Sequence, residues 1–157
     1  MRKKYGLLMF CCLGILATGC EHSEQKDVSK LAIVKTINPS AVAIDKNQPG
    51  GNDVEQVKED ISSLPELYDV AVIKGKKDIL VAYKVKHLHR FKMKAIEKKM
   101  NKMLEKKYPK ENFTVSSDYK IFLEAVKLNE RIKSKNYSDK KAETRLKQII
   151  KMTNEMT

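Results

Sequence analysis

Beyond residue 20 the 157-residue chain contains no cysteine; Cys11, Cys12 and Cys20 are its only three. This excludes disulfides, thiolate metal sites and thiol nucleophiles from everything downstream, which must fold around an apolar core alone. A nucleophile elbow, a glycine-rich phosphate loop, a zinc signature and a calcium loop are all missing. So are internal repeats and low-complexity tracts. The apolar run that begins at Leu7 and ends at Ala17 is too short for a membrane-spanning helix, which needs ~20 residues. A chain of this length fits one small domain with a tail.

What is present starts at the amino-terminal end. Met1-Arg2-Lys3-Lys4 is basic, the apolar run follows, and small residues precede Cys20. That order predicts a secretory signal over residues 1–19. Leu16-Ala17-Thr18-Gly19-Cys20 resembles the lipobox of bacterial lipoproteins, with Ala17 where that motif most often has leucine. The resemblance implies that the Cys20 thiol takes a diacylglyceryl group and becomes the first residue of a mature chain of 138 residues. The chain would then work outside the cytoplasmic membrane, tethered to it, with the covalent lipid as its one non-protein group. The competing reading is a plain secretory peptide, or an uncleaved anchor, with an incidental cysteine.

Charge is unevenly spread. The formal net charge is +12, and residues 74–110 alone hold fourteen Lys/Arg against three Asp/Glu. The remainder of the chain after Gly19 sums to −2. In a cytosolic protein such a segment would point to nucleic acid. Export removes that partner and points to an anionic membrane surface or an anionic cell-wall polymer.

The range 20–51 is polar, carries Pro39 and closes on the breaker Pro49-Gly50-Gly51. It is expected to be a flexible tether holding the domain roughly 30 Å from the lipid. Leu31 to Val34 and Ala41 to Ile44 are apolar enough for short strands, but neither alternates cleanly and no hairpin turn joins them. From Asp53, the residues Val54, Val57, Ile61 and Leu64 share a helical face, which Pro65 ends. Tyr68 to Lys74 and Asp78 to Val85, joined by Gly75-Lys76-Lys77, predict a hairpin. A helix from about Arg90 to Tyr108 carries the stripe Met93, Ile96, Met100, Met103 and Leu104. Asn112 to Ser116 is a third strand, free to add antiparallel to the first hairpin strand or parallel to the second. Ser116-Ser117-Asp118 then caps a helix with Ile121, Phe122, Ala125, Leu128 and Ile132 on one face. A last helix, from Ser138 or Asp139, presents Ala142, Leu146, Ile149, Ile150 and Thr153.

The expected fold class is α+β. Residues 52–134 form a small αββαβ domain, a three-stranded sheet covered on one face by helices. Residues 135–157 form a C-terminal helical tail that docks or engages a protein partner. Ile61, Val72, Val81, Ile96, Leu104 and Phe122 are expected in the core.

Val57 to Leu64, the hairpin Val70-Ala71-Val72-Ile73 with Ile79-Leu80-Val81-Ala82-Tyr83, and Val115-Ser116-Ser117-Asp118 together resemble the YhcN/YlaJ family of sporulation lipoproteins. The tail Leu146-Lys147-Gln148-Ile149-Ile150-Lys151-Met152 is most similar to the YlaJ type. The likeness spans about Asp53 to Thr157 and consists of apolar positions rather than a catalytic signature. It implies a lipoprotein of an endospore former, placed on a cell or spore membrane, with a part in sporulation or germination. The element order is also similar to that of BON and ring-building domains, an analogy of fold alone.

Site chemistry is thin. His87 and His89 alternate as two ligands on one side of a strand would. Lys84, Lys86, Arg90 and Lys92 would repel a cation there, so a solvated strand end is expected and no metal. A wall hydrolase needs a carboxyl raised in pKa within a cleft, and Glu66, Glu97, Glu105, Glu111 and Glu124 are available. Glu97 and Glu105 sit among lysines, which hold a carboxyl low. No catalytic residue is assigned. Lys94, Lys98, Lys102 and Lys106 recur every fourth residue opposite the methionine stripe, with Lys92 and Lys99 beside them. Like charges so spaced each cost a helix about 0.2–0.5 kcal/mol. The row is either an ordinary solvated face or a surface for anionic lipid or wall polymer. The expected function is a non-enzymatic binding or assembly protein; the alternative is an enzyme acting on cortex peptidoglycan.

Overall fold

The computed structural model describes residues 38–45, 53–134 and 136–155. The expected signal segment, Cys20 and most of the expected tether lie outside them. In chain order the described elements are β1 (Val42–Ala43), α1 (Asp53–Ser62), β2 (Leu67–Lys74), β3 (Asp78–Val85), a 3₁₀ helix (His87–Lys92), α2 (Met93–Lys107), β4 (Asn112–Ser116), α3 (Tyr119–Lys133) and α4 (Asp139–Glu155). The protein is α+β, with β3 and β4 at the residues expected.

Among the described residues the sheet has four strands rather than three, in the order β1-β2-β3-β4. β2 and β3 form the antiparallel hairpin, with Val72 opposite Val81. β4 lies parallel to β3, which decides between the two placements open from sequence. The extra strand comes from the stretch expected to be tether: Val42 and Ala43 run parallel to Ile73 and Lys74. A two-residue strand is too short for any periodicity to announce it.

Side chains hold that stretch down. The Asn38 N–H donates to Asp69 Oδ1 at 3.0 Å, and the Ala41 N–H to Glu55 Oε2 at 3.2 Å. Asn129 Nδ2 on α3 donates to the Ser40 carbonyl at 2.7 Å, and the Ile44 N–H to the Lys74 carbonyl at 2.9 Å. Ile44 itself is buried.

Both faces of the sheet are covered, where one was expected. Val70 and Val72 of β2, with Ile79, Val81 and Tyr83 of β3, pack under Val57 and Ile61 of α1 and Ile96, Met100 and Leu104 of α2. The intervening residues Ala71, Ile73, Leu80 and Ala82 pack against Ile121, Phe122, Ala125 and Leu128 of α3 and Ala142, Leu146 and Ile149 of α4. Strands buried on both sides read as continuous apolar runs, as these do. All six residues expected in the core are buried. The C-terminal helix, given two roles by the sequence, takes the docked one, and its apolar face lies inside the second core.

Local chemistry sets the element ends. Asp118 accepts from the Lys120 and Ile121 N–H groups at 2.7 and 3.1 Å, capping α3 as the sequence indicates. At the hairpin tip, Gly75 is required by contact: a Cβ there would stand 2.6 Å from Leu146 Cδ2. The neighbouring Lys76 N–H donates to Glu143 Oε1 at 2.8 Å, so the turn and α4 are fastened together.

Candidate binding surface

Helix α2 is positioned by three apolar residues. Ile96, Met100 and Leu104 are buried against the sheet, with Met103 packed at the margin. Met93, expected in that stripe, is instead 40% exposed, at the first residue of the helix. The buried stripe turns the opposite side of α2 outward.

That side carries the lysines. Lys94, Lys98, Lys102 and Lys106 are all exposed, as are Lys92 and Lys99. From Lys94 to Lys106 the row is about 18 Å long at 1.5 Å per residue. Among the described residues the four make no ion pair. Lys99 does: its Nζ lies 3.2 Å from Glu66 Oε1. One step beyond the row, Lys107 Nζ lies 2.6 Å from Asp60 Oδ1, and Tyr108 Oη donates to Asp60 Oδ2 at 2.7 Å.

The positive segment is thus partly matched in space. Lys74 pairs with Glu111 at 2.6 Å and Lys84 with Asp69 at 3.0 Å. Together with Lys99 and Lys107, these pairs join cations of 74–110 to carboxylates of the flanking segments. The cations left over concentrate on α2 and the 3₁₀ helix before it.

The 3₁₀ helix His87–Lys92 corrects another expectation. Strand β3 stops at Val85, so His87 and His89 do not sit on a strand end. The Lys86 N–H donates to the Glu66 carbonyl at 2.9 Å and the His89 N–H to the Lys86 carbonyl at 2.8 Å, which starts the tight turn. No residue of this helix is buried, and Leu88 and Phe91 are 86% and 100% exposed. Among the described residues no three His, Cys, Asp or Glu come together to hold a metal ion.

Three of the carboxyls considered for hydrolysis, Glu66, Glu111 and Glu124, are paired with cations. The Glu66 carboxyl is held low by its own backbone N–H and by Lys99. Burial pushes Glu124 up, but Lys127 and Arg145 outweigh it and its pKa is lowered. Glu111 is tied to Lys74, and Glu105 lines with it a shallow depression of about 360 Å³ along the outer edge of β4. Burial pushes the Tyr83 hydroxyl up to about 12, against the opposite pull of the Ser117 side chain. The buried Lys84–Asp69 pair and the exposed Leu88 and Phe91 are what sequence reasoning missed. The signal for the second was available: two large apolar residues three apart, set among basic ones. No helix among the described residues is long and apolar enough to cross a membrane. Comparison with family models, curated proteins and solved structures gives no match.

Proposed function

We propose that this chain is a lipid-anchored envelope protein of an endospore former, of the YhcN/YlaJ type, with a non-enzymatic binding or assembly role supporting sporulation or germination. Lipid on Cys20 would hold it to a cell or spore membrane, facing away from the cytoplasm. The lysine row of α2 would then attach it to an anionic membrane surface or wall polymer. The observation that carries this reading is the exposure of Lys94, Lys98, Lys102 and Lys106 without ion pairs among the described residues.

Each basic residue near an anionic membrane is worth about 1 kcal/mol, fading within a Debye length of ~8–10 Å. The eighteen residues from Cys20 to Ile37 extend at most about 60 Å, enough for the domain to reach headgroups or the inner wall. The succession α1, β2, β3, α2, β4 fits the BON or ring-building-like order in this reading, and those domains bind surfaces or assemble. The depressed Glu66 and Glu124 carboxyls support binding over hydrolysis, since a general acid needs the opposite shift.

The test is co-sedimentation of the lipid-free chain with anionic liposomes and, separately, with purified cell wall, across a salt series. Replacing Lys94, Lys98, Lys102 and Lys106 by Gln should weaken low-salt binding by orders of magnitude with the fold intact. Equal binding by variant and wild type, or indifference to salt, overturns the reading. Soluble fragments released from labelled peptidoglycan would transfer the protein to the hydrolase class.

A further inference from the structure

We infer that the 3₁₀ helix His87–Lys92 is a membrane-inserting wedge, with Leu88 and Phe91 as its apolar tip and an anionic bilayer as its partner. The inference deepens the proposed attachment surface and rests on it, committing that surface to lipid rather than to wall polymer.

Geometry comes first. A 3₁₀ helix has three residues per turn, so side chains at i and i+3 eclipse. Leu88 and Phe91 therefore stand on one side of the helix, about 6 Å apart along its axis at ~2 Å per residue. They are 86% and 100% exposed, about twice as exposed as the next large apolar side chains, Tyr68, Tyr119 and Met93, at 44%, 42% and 40%. Lone exposed apolar residues are ordinary; two large ones stacked on one side of a turn form a patch. Nothing in the fold uses them, because α2 is held by Ile96, Met100 and Leu104 instead.

The surroundings choose the partner. Lys86, Arg90, Lys92 and Lys94 are all exposed and bracket the two apolar residues along the chain. Exposed cations flanking an apolar tip match an anionic bilayer at both levels, headgroup charge outside and acyl chains beneath. A wall polymer would satisfy the cations and leave the Phe91 ring in water. A protein groove for an apolar helix side would be crowded by four cations at its rim. From the wedge the lysine row continues down α2 toward Lys106, so the turn would sit at one end of the charged surface.

The chain lacks tryptophan, so one indole reports a single place. The experiment uses the full chain carrying Phe91→Trp, anchored in vesicles of phosphatidylglycerol or of phosphatidylcholine. The site is fully exposed, so the fold is unaffected. In phosphatidylglycerol the indole emission should shift to the blue, bromine-labelled acyl chains should quench it, and acrylamide should lose access. In phosphatidylcholine the emission should remain water-like. Adding Leu88→Ser should reduce the inserted fraction at least about tenfold, since it removes one of two buried apolar side chains. Water-like, acrylamide-quenched emission in phosphatidylglycerol overturns the wedge. So does a blue shift produced by wall fragments alone, or one that appears equally in phosphatidylcholine. Salt-dependent co-sedimentation of the lipid-free chain, lost with the α2 lysines, alongside a water-like indole in the anchored one, would remove the wedge and keep the attachment surface. An inserted indole with lysine-independent sedimentation would do the reverse.

Discussion

Lys84 and Asp69 face each other across the β2–β3 hairpin, Nζ to Oδ2 at 3.0 Å, with side chains 7% and 0% exposed. The ammonium also lies 4.6 Å from the centre of the Phe122 ring and 4.8 Å from that of Tyr68. Asp69 further accepts from the Asn38 N–H, so the pair joins the hairpin, α3 and the stretch before β1. Two charges taken out of water are held by geometry, and neither tolerates loss of the other. Asp69→Ala should lower unfolding free energy by about 3–5 kcal/mol, the cost of a buried unpaired ammonium. Asp69→Leu with Lys84→Met should recover most of that loss. Denaturant melts of the three proteins check it, and equal stability of Asp69→Ala and wild type would mean the pair is solvated.

The hairpin tip makes a second test. Gly75→Ala places a methyl against Leu146, which is buried and has little room to retreat. Overpacking of this kind costs typically 1–3 kcal/mol. Leu104→Ala, which empties the centre of α2's contact with the sheet, should cost more, about 2–5 kcal/mol. If thermal unfolding left Gly75→Ala unchanged, α4 would not be docked on the turn.

Much of this architecture was legible because its signals are local. β3 and β4 stand where alternation and β-branched residues put them, Asp118 caps α3, and the α2 stripe places Ile96, Met100 and Leu104 inside. The failures concern partners far apart in sequence. Nothing in Ser40 to Ile44 announces that Lys74 and Asn129 will hold it. Lys84 adds to a basic segment on paper, yet Asp69 and two aromatic rings neutralise and bury it. Lys99 likewise stands beside the row in sequence and belongs to Glu66 by contact. For the candidate surface, spacing identified which lysines face outward; their matching by distant carboxylates required the fold.

Asn129 tests the strand that the sequence did not announce. Its side chain is fully buried, and its Nδ2 bond to the Ser40 carbonyl fixes the stretch leading into β1. Asn129→Ala leaves that carbonyl without its donor, a loss of roughly 1–3 kcal/mol if the site stays dry. Amide exchange at Val42 to Ile44 should rise more than exchange in β2 and β3. Uniform exchange across the sheet would mean β1 is not held through α3.

Acid and alkali should both destabilise the domain. Lys107 first, and Tyr108 with it, holds the Asp60 carboxyl below its ordinary value, while Glu66 and Glu124 are lowered as well. Folded-state values below the unfolded ones mean these groups stabilise fully above about pH 4 and lose that contribution as pH falls through the folded values. At the other end burial raises Tyr83 to about 12, and burial with the Asp60 bond raises Tyr108 further. Their contribution is complete below about pH 10 and fades as pH rises through the folded values. A spectroscopic titration should show both phenols neutral near pH ~11 in the folded chain and ionised in denaturant. Asp60→Asn should flatten the acid arm of the stability curve; an unchanged arm would remove Asp60 from the account.

The last prediction separates covalent from electrostatic attachment. If Cys20 carries two acyl chains, at ~0.8 kcal/mol per buried methylene, the anchor holds regardless of salt. If α2 and the 3₁₀ helix contribute through charge, their share is lost as the Debye length shrinks from ~10 Å at 0.1 M to ~3 Å at 1 M. Wild-type protein should therefore stay in the membrane fraction through a high-salt wash. Cys20→Ser, exported and cleaved, should stay only at low salt and leave at high salt. Cys20→Ser combined with Gln at Lys94, Lys98, Lys102 and Lys106 should leave at both. Cys20→Ser that is retained at its full precursor size would show instead that cleavage depends on the lipid, with the apolar run from Leu7 serving as the anchor. A mature wild-type chain whose mass shows a free cysteine would remove the lipid altogether. The basic surface would then have to hold the protein alone, and wild type would leave the membrane at high salt.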